Sequence, residues 1–169
     1  MRRITATTTI ILLITTTLMA FSAKSNMSIN KKPKKIVNIV YHFQDSSVPP
    51  EYHRSYTITA YQDSIHIIVD SYGTVLNEKT YPLSSEKFDS LISAIDEYKI
   101  RNCRETHDKG CTGGTSRSII VYGETETITE GTMSMCGGKI YGNLSGNMDE
   151  FSKLIKSFIP DISKVIRPD

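Results

Sequence analysis

Apolar and polar residues alternate along the chain from Ile36 onward, and this alternation sets the type of fold. From Ile36 to Phe43 every odd-numbered residue is apolar. This period of two is typical of a strand with one buried face. It returns in residues 55–61 and 65–69, and a further strand is predicted from Thr74 to about Tyr81. The first half of the chain therefore predicts a three-stranded antiparallel meander with one more strand before it.

The period changes to that of an amphipathic helix at two places. After Ser84 and Ser85, either of which can serve as the N-cap, apolar residues recur at intervals of three and four from Phe88 to Tyr98. After Asn147, which begins a capping box, the same spacing runs from Phe151 to Phe158. Each segment is expected to bury one stripe against a sheet.

These elements predict an α+β fold, an antiparallel sheet with two amphipathic helices packed on one face. The two helical segments match at an offset of 63 residues, and the strands before them overlay roughly at the same offset. One interpretation is two β-β-β-α units. The other is coincidence, because any two amphipathic helices share such a pattern by construction.

A second hairpin is predicted between the helices. Residues 101–115 are expected to form a polar loop, followed by a strand at 116–122, a tight turn at Gly123 and Glu124, and a strand from Thr125 toward Met135. Gly131 is expected to cause a bulge in the second strand.

The three cysteines lie around this hairpin. Cys111 and Cys136 are equally distant from the predicted turn, which would make them cross-strand partners with Cα atoms about 4.5 to 5.5 Å apart, a separation that a disulfide bridges. We therefore expect a Cys111–Cys136 disulfide, with Cys103 unpaired in the core near the end of the first helix.

Two other interpretations give the cysteines a chemical role. Cys103, His107, Cys111 and Cys136 would supply a Cys3His zinc site, although the usual C-x2-C spacing is missing. A catalytic thiolate would need a neighbouring base, and His107 is the histidine near Cys103 and Cys111. Either arrangement would make the chain a thiol- or zinc-dependent hydrolase, whereas the disulfide interpretation requires no cofactor and no metal.

The N-terminus predicts export. Residues 1–23 have a basic start, an apolar centre and a small-residue cleavage site, as in a secretory signal peptide, and an uncleaved membrane anchor is the alternative. Residues 24–35 read as a basic polar linker, and residues 36–169 as a single α+β domain. We expect a secreted or periplasmic protein of the cell envelope, with no stable membrane span after signal cleavage.

Charge limits the class of partner. From Ile36 onward the chain has 13 basic and 18 acidic residues, a formal charge of −5. Because nucleic-acid binding depends largely on Lys and Arg at phosphates, a nucleic-acid partner is not expected. The acidic residues are scattered, and Asp45, Glu51, Asp63 and Asp70 stand where acids commonly serve turns.

The loop VPPEYHRSY is the candidate recognition surface. Its two prolines stiffen a segment that presents Tyr52, His53 and Arg54, and aromatic residues and arginine are enriched in binding sites. Tyr141 and Asn143 would join this surface if they lie at the same end of the sheet. In the alternative, Tyr52 packs against the sheet and the rest of the loop is solvated.

The second half of the chain carries a family resemblance. GCTGGTSRSIIVYG, the later CGGKIYGNLSG and a helix that ends in FIPD resemble small exported bacterial α+β proteins that have no assigned activity. The resemblance covers residues 110–161 and implies no catalytic residues. The predicted architecture is also similar to the sheet-and-helix modules of exported inhibitor and PepSY-like proteins, which bind other proteins.

The sequence thus predicts an exported, non-catalytic binding or interaction module for an unknown protein or glycan. The alternatives are the hydrolase described above and a structural envelope protein.

Overall fold

Eight antiparallel strands form a sheet in the computed structural model, which describes residues 35–106 and 113–168. The strands are β1 (Ile36–Gln44), β2 (Ser55–Tyr61), β3 (Ser64–Ser71), β4 (Thr74–Pro82), β5 (Arg101–Thr106), β6 (Thr115–Gly123), β7 (Thr127–Cys136) and β8 (Lys139–Ser145). The helices are α1 (Ser85–Glu97), α2 (Met148–Ser157) and α3 (Ile162–Ile166). The predicted α+β class is confirmed at this level.

The predictions for the N-terminus fall almost entirely outside the described residues. The signal peptide and all of the linker except Lys35 belong to residues 1–34. Lys35 Nζ lies 2.9 Å from Glu124 Oε1, and both side chains are exposed. Within the part of the chain that the structure describes, no helix is long and apolar enough to cross a membrane.

The predicted meander is confirmed. In the sheet order β4-β3-β2-β1-β6-β7-β8-β5, the first four strands are each adjacent to their sequence neighbours. β3 and β4 are joined by Tyr72 and Gly73, which both have positive φ, 50° and 86°. Two such residues between paired strands form a type I′ turn, whose twist matches that of the strands.

The predicted polar loop at residues 101–115 is wrong for its first part. Arg101–Thr106 is the edge strand β5, which pairs with β8. Its residues up to Arg104 are exposed, so no buried face imposes an alternation on RNCRET. Cys103 is exposed in this strand, which corrects the prediction that it lies in the core.

The register of the second hairpin also differs from the prediction. Thr115 pairs with Met135, and Gly123 N–H donates to the Glu126 carbonyl over 2.8 Å, so the turn is longer than two residues. Gly131 is not at a bulge, because it pairs in regular register with its neighbour in β6. The irregularity lies at the turn end of β6, where the longer loop is accommodated.

This register places Gly114 opposite Cys136. A Cβ built on Gly114 would lie 2.8 Å from the Cys136 Cβ, so the two backbones are close. The prediction that Cys111 lies directly opposite Cys136, which rested on their equal distance from the turn, is therefore wrong. Cys111 itself lies outside the described residues.

Both predicted helices are present. α1 begins after Ser84, and the pKa of Glu86 in its first turn is lowered by hydrogen bonds from its own backbone N–H and from Ser84. α2 begins after Asn147, whose Oδ1 accepts from Glu150 N–H over 3.2 Å, as the capping box predicts. The unpredicted α3 has five residues, too few to show a helical period.

Alternate strand residues and the helices share one hydrophobic core. The Tyr41 ring of β1 lies 6.2 Å from the Phe151 ring of α2, and its hydroxyl donates to Ser152 Oγ over 2.9 Å. The side chains buried in this core include Ile39, Tyr41, Ile58, Ala60, Ile65, Ile67, Val69, Ile119 and Val121 from the strands, and Phe88, Leu91, Phe151 and Ile155 from the helices.

The opposite side of the central strands is polar and at least partly accessible. We call it the open face, and none of its members is fully buried. It comprises Asn38, Val40, His42, Thr57, Thr59, Tyr61, His66, Ile68, Ser118, Ile120 and Tyr122.

Candidate functional site

The loop from β1 to β2 and the β3–β4 turn lie at the same end of the meander, because each strand reverses direction. We call residues 45–54 together with Tyr72 and Gly73 the loop end. Its side chains are held by a set of contacts that can be followed from the base of the loop outward.

Asp45 closes the base of the loop. Its Oδ1 accepts from Ser46 N–H over 2.8 Å, and its Oδ2 accepts from Arg54 N–H over 2.9 Å. Its own N–H donates to Ser55 Oγ over 3.0 Å. One carboxylate therefore joins both ends of the loop, and the turn role predicted for this acid is confirmed.

The middle of the loop is bonded to the neighbouring turn. Tyr52 and His53 N–H both donate to the Pro49 carbonyl, over 2.9 and 3.1 Å. Tyr72 OH donates to the Val48 carbonyl over 2.6 Å, and Ser71 Oγ donates to the carbonyl of the second proline over 2.8 Å. The diproline segment is fixed at both sides.

His53 is completely buried, although the loop was predicted to present it. Its ring stacks on Tyr72, with centroids 3.9 Å apart and planes at 22°. Its Nε2 lies 3.2 Å from Gln44 Nε2, which can only donate, and 3.3 Å from Ser55 Oγ. Nε2 therefore accepts, and His53 anchors the loop to the sheet instead of contacting a partner.

Burial of His53 leaves the tyrosines on the outside. Tyr52 is 62% exposed and Tyr72 is 55% exposed, so the alternative in which Tyr52 packs against the sheet is wrong. Arg54 is partly buried, and its Nη1 donates to the His53 carbonyl over 2.7 Å. The exposed residues of the loop end are Ser47, Pro49, Pro50, Glu51, Tyr52, Tyr72 and Gly73, and its large exposed side chains are the two tyrosines.

Of the two candidate residues later in the chain, Tyr141 and Asn143, the structure brings Tyr141 toward the loop end. Tyr141 of β8 pairs with Ser134, which pairs with Ser116, which pairs with Gln44 at the end of β1. Tyr141 is thus on the row of the sheet that leads to the loop end, three strands from β1, and is partly buried.

Asn143 has a structural role. Its Oδ1 accepts from Thr132 N–H over 2.8 Å, and Asn102 Nδ2 donates to the Glu130 carbonyl. Both side chains form hydrogen bonds with the β7 backbone, at the point where β8 leaves β7 and pairs with β5. Asn143 is therefore committed to the sheet, and the structure does not bring it to the loop end.

The cysteine arrangement is only partly within the described residues. Cys103 is a free cysteine, whereas Cys136 is not a free thiol. His107 and Cys111 lie outside the described residues. Among the residues that are described, no group of three or more His, Cys, Asp or Glu side chains could hold a metal ion.

A further polar cluster joins the sheet to α2. Burial raises the pKa of Tyr41 and that of Tyr56, so both phenols are protonated at neutral pH, and the Tyr41 hydroxyl serves as a hydrogen-bond donor. Arg117 Nη2 lies 2.8 Å from Asp149 Oδ1, and the guanidinium lies 5.8 Å from the Phe43 ring. The contacts of this cluster are those of a helix–sheet interface.

Tyr72 is the residue of the loop end that sequence reasoning missed. The meander that contains the β3–β4 turn was predicted, but not that Tyr72 reaches back to the β1–β2 loop. The available signal was a large aromatic residue before glycine, at a position where the turn requires positive φ.

Comparisons with protein-family models, with curated proteins and with solved structures find no match to the chain. A functional assignment therefore depends on the contacts of the molecule itself.

Proposed function

We propose that the chain is an exported α+β module that binds a partner protein without catalysis, and that the loop end is its recognition surface. The observation that carries this proposal is the exposure of Tyr52 and Tyr72 on a loop whose backbone is fixed by hydrogen bonds. Export, to the periplasm or the exterior, rests on the N-terminal sequence pattern.

The fixed backbone supports binding because less conformational entropy is lost on association. The Asp45 carboxylate, the Tyr72 hydroxyl and the buried His53 ring hold the loop before any partner arrives. Tyrosine and arginine side chains are also enriched among residues that dominate interface energies. Tyr52 and Arg54 are therefore the proposed contact residues.

We further propose that α1 and α2 pack on the same face of the sheet. The contact between Tyr41 and Phe151 supports this for α2, and for α1 the inclusion of Phe88 and Leu91 in the same core supports it. This arrangement leaves the loop end and the open face available to ligands.

The proposal is tested by capture of partners from the native cell surface with purified variants. Tyr52→Ala and Arg54→Ala are each expected to reduce capture about fivefold or more, because contact residues of this type contribute on the order of 1 kcal/mol. Ile140→Ala is the control, since Ile140 is an exposed large side chain that belongs to neither the loop end nor the open face. Its capture is expected to equal that of the wild type.

Two outcomes would count against the loop end. Unchanged capture by both loop variants would remove it from the proposal. Equal recovery of many envelope neighbours by every variant would instead favour a structural envelope protein.

We retain the Cys111–Cys136 disulfide as a proposal. Its support is that Cys103 is free and Cys136 is not, in a chain with three cysteines. The intact mass is expected to rise by two hydrogen atoms on reduction, and the free energy of unfolding to fall by roughly 3 to 4 kcal/mol, the chain-entropy estimate for a loop of this length. Three alkylatable thiols with bound zinc in the unreduced protein would overturn it and favour the hydrolase.

A further inference from the structure

We propose that the open face is a second binding site, which takes an extended, uncharged, β-linked glycan chain lying across the central strands. The site is distinct from the loop end and does not depend on the proposed partner protein. Three observations carry it: the charge of the face, the spacing of its aromatic residues and the polar groups between them.

The open face contains no lysine or arginine. Its histidines are the residues that can carry positive charge, and His66 Nε2 is already 2.9 Å from Glu78 Oε1 at the outer side. Phosphate-bearing ligands and anionic lipid surfaces are bound largely through Lys and Arg. A face of hydroxyl, amide, aromatic and aliphatic side chains instead matches a ligand that carries hydroxyl groups and no charge.

Two exposed tyrosines stand on either side of one amide. Asn38 pairs with Tyr61 on one neighbouring strand and with Tyr122 on the other. The two tyrosines are therefore two strand spacings apart, about 10 Å. They are 44% and 36% exposed, which leaves ring surface for stacking. A linear glycan can place two of its rings on these tyrosines and an intervening ring over Asn38.

Polar groups continue along the same face. His42 pairs with Thr57 on one side and with Ser118 on the other, and its Nδ1 lies 2.9 Å from Thr57 Oγ1. Between this row and the tyrosines lies Val40, which pairs with Thr59 on one side and with Ile120 on the other. Because all these side chains stand on paired strands, their spacing is fixed before binding. A flat, regular ligand fits such a surface without an enclosed cavity.

The experiment is a titration of the full folded protein with chitohexaose and with cellohexaose, monitored by calorimetry. Saturable binding of at least one is expected. Tyr61→Ala and Tyr122→Ala are each expected to weaken it about fivefold or more, as for exposed aromatic contact residues. Tyr52→Ala is the control and should bind the hexasaccharide like the wild type. Thermal unfolding of each variant confirms that the fold is retained.

The outcomes separate this inference from the proposed function. Absence of saturable binding to both hexasaccharides, or equal affinity of wild type and both face variants, would overturn the glycan site without bearing on the loop end. Conversion of a dimer to a monomer by Tyr122→Ala would show that the open face meets a second copy, and would also overturn it. Loss of protein capture by Tyr52→Ala with intact hexasaccharide binding would leave both proposals standing.

Discussion

Gly142→Ala is expected to lower the free energy of unfolding by about 3 kcal/mol or more, from the combined cost of an unfavourable φ and of steric overlap. Gly142 has a φ of 115°, which side-chain-bearing residues rarely adopt. An added Cβ would also overlap the carbonyl group of Thr132 in β7. Relief of that overlap requires β7 and β8 to separate where β8 begins to turn toward β5. Urea unfolding of the two proteins measures the difference.

Gly138→Ala is the matched control for this prediction. Gly138 lies in the turn between β7 and β8 and also has positive φ, 75°, but a Cβ there meets nothing within 4 Å. Its substitution is expected to cost about 1 kcal/mol, the backbone term alone. If both substitutions lowered the free energy of unfolding equally, the close contact between Gly142 and β7 would be contradicted.

Phe151→Ala is expected to destabilise the protein by about 3 to 5 kcal/mol, because it removes a large buried ring and leaves a cavity. Phe151 is fully buried in α2, and its ring contacts that of Tyr41. That loss is a large share of the ~5 to 15 kcal/mol by which domains of this size are stable. Chemical denaturation followed by circular dichroism provides the measurement.

Phe158→Ala is the comparison variant, since Phe158 packs against the same core but is only partly buried. A smaller loss is expected there, because the removed side chain already had contact with solvent. If Phe158→Ala were the more damaging of the two, the position of α2 on the sheet would have to be revised.

The predictable part of the fold is the part with a buried and an accessible face. β1, β2 and β3 alternate between them, so their residues carry the period directly. β5 could not be predicted in this way, because its exposed residues at the edge of the sheet are under no such constraint. The β6–β7 register could not be predicted either, because four residues separate Tyr122 from Thr127 instead of the two predicted, and each added turn residue moves every cross-strand pair.

The candidate site, too, has a part that could be predicted from the sequence and a part that could not. The choice of Tyr52 and Arg54 depended on residue type and on a proline-stiffened loop, both of which are local. Burial of His53 depends on Tyr72, a residue on a different turn that comes into contact only after β2 and β3 have paired. Contacts of this kind leave no period or spacing in the sequence.

The sheet order has a consequence for the timing of folding. β1 precedes the other described strands in the chain, yet it lies in the middle of the sheet between β2 and β6. Its pairing with β2 is local, whereas its pairing with β6 must wait until more than half of the chain has been made. Until then β1 has an unpaired edge, and long-range pairing of this type slows folding and prolongs exposure to aggregation. The polypeptide therefore needs β6, from its second half, before both edges of β1 are protected.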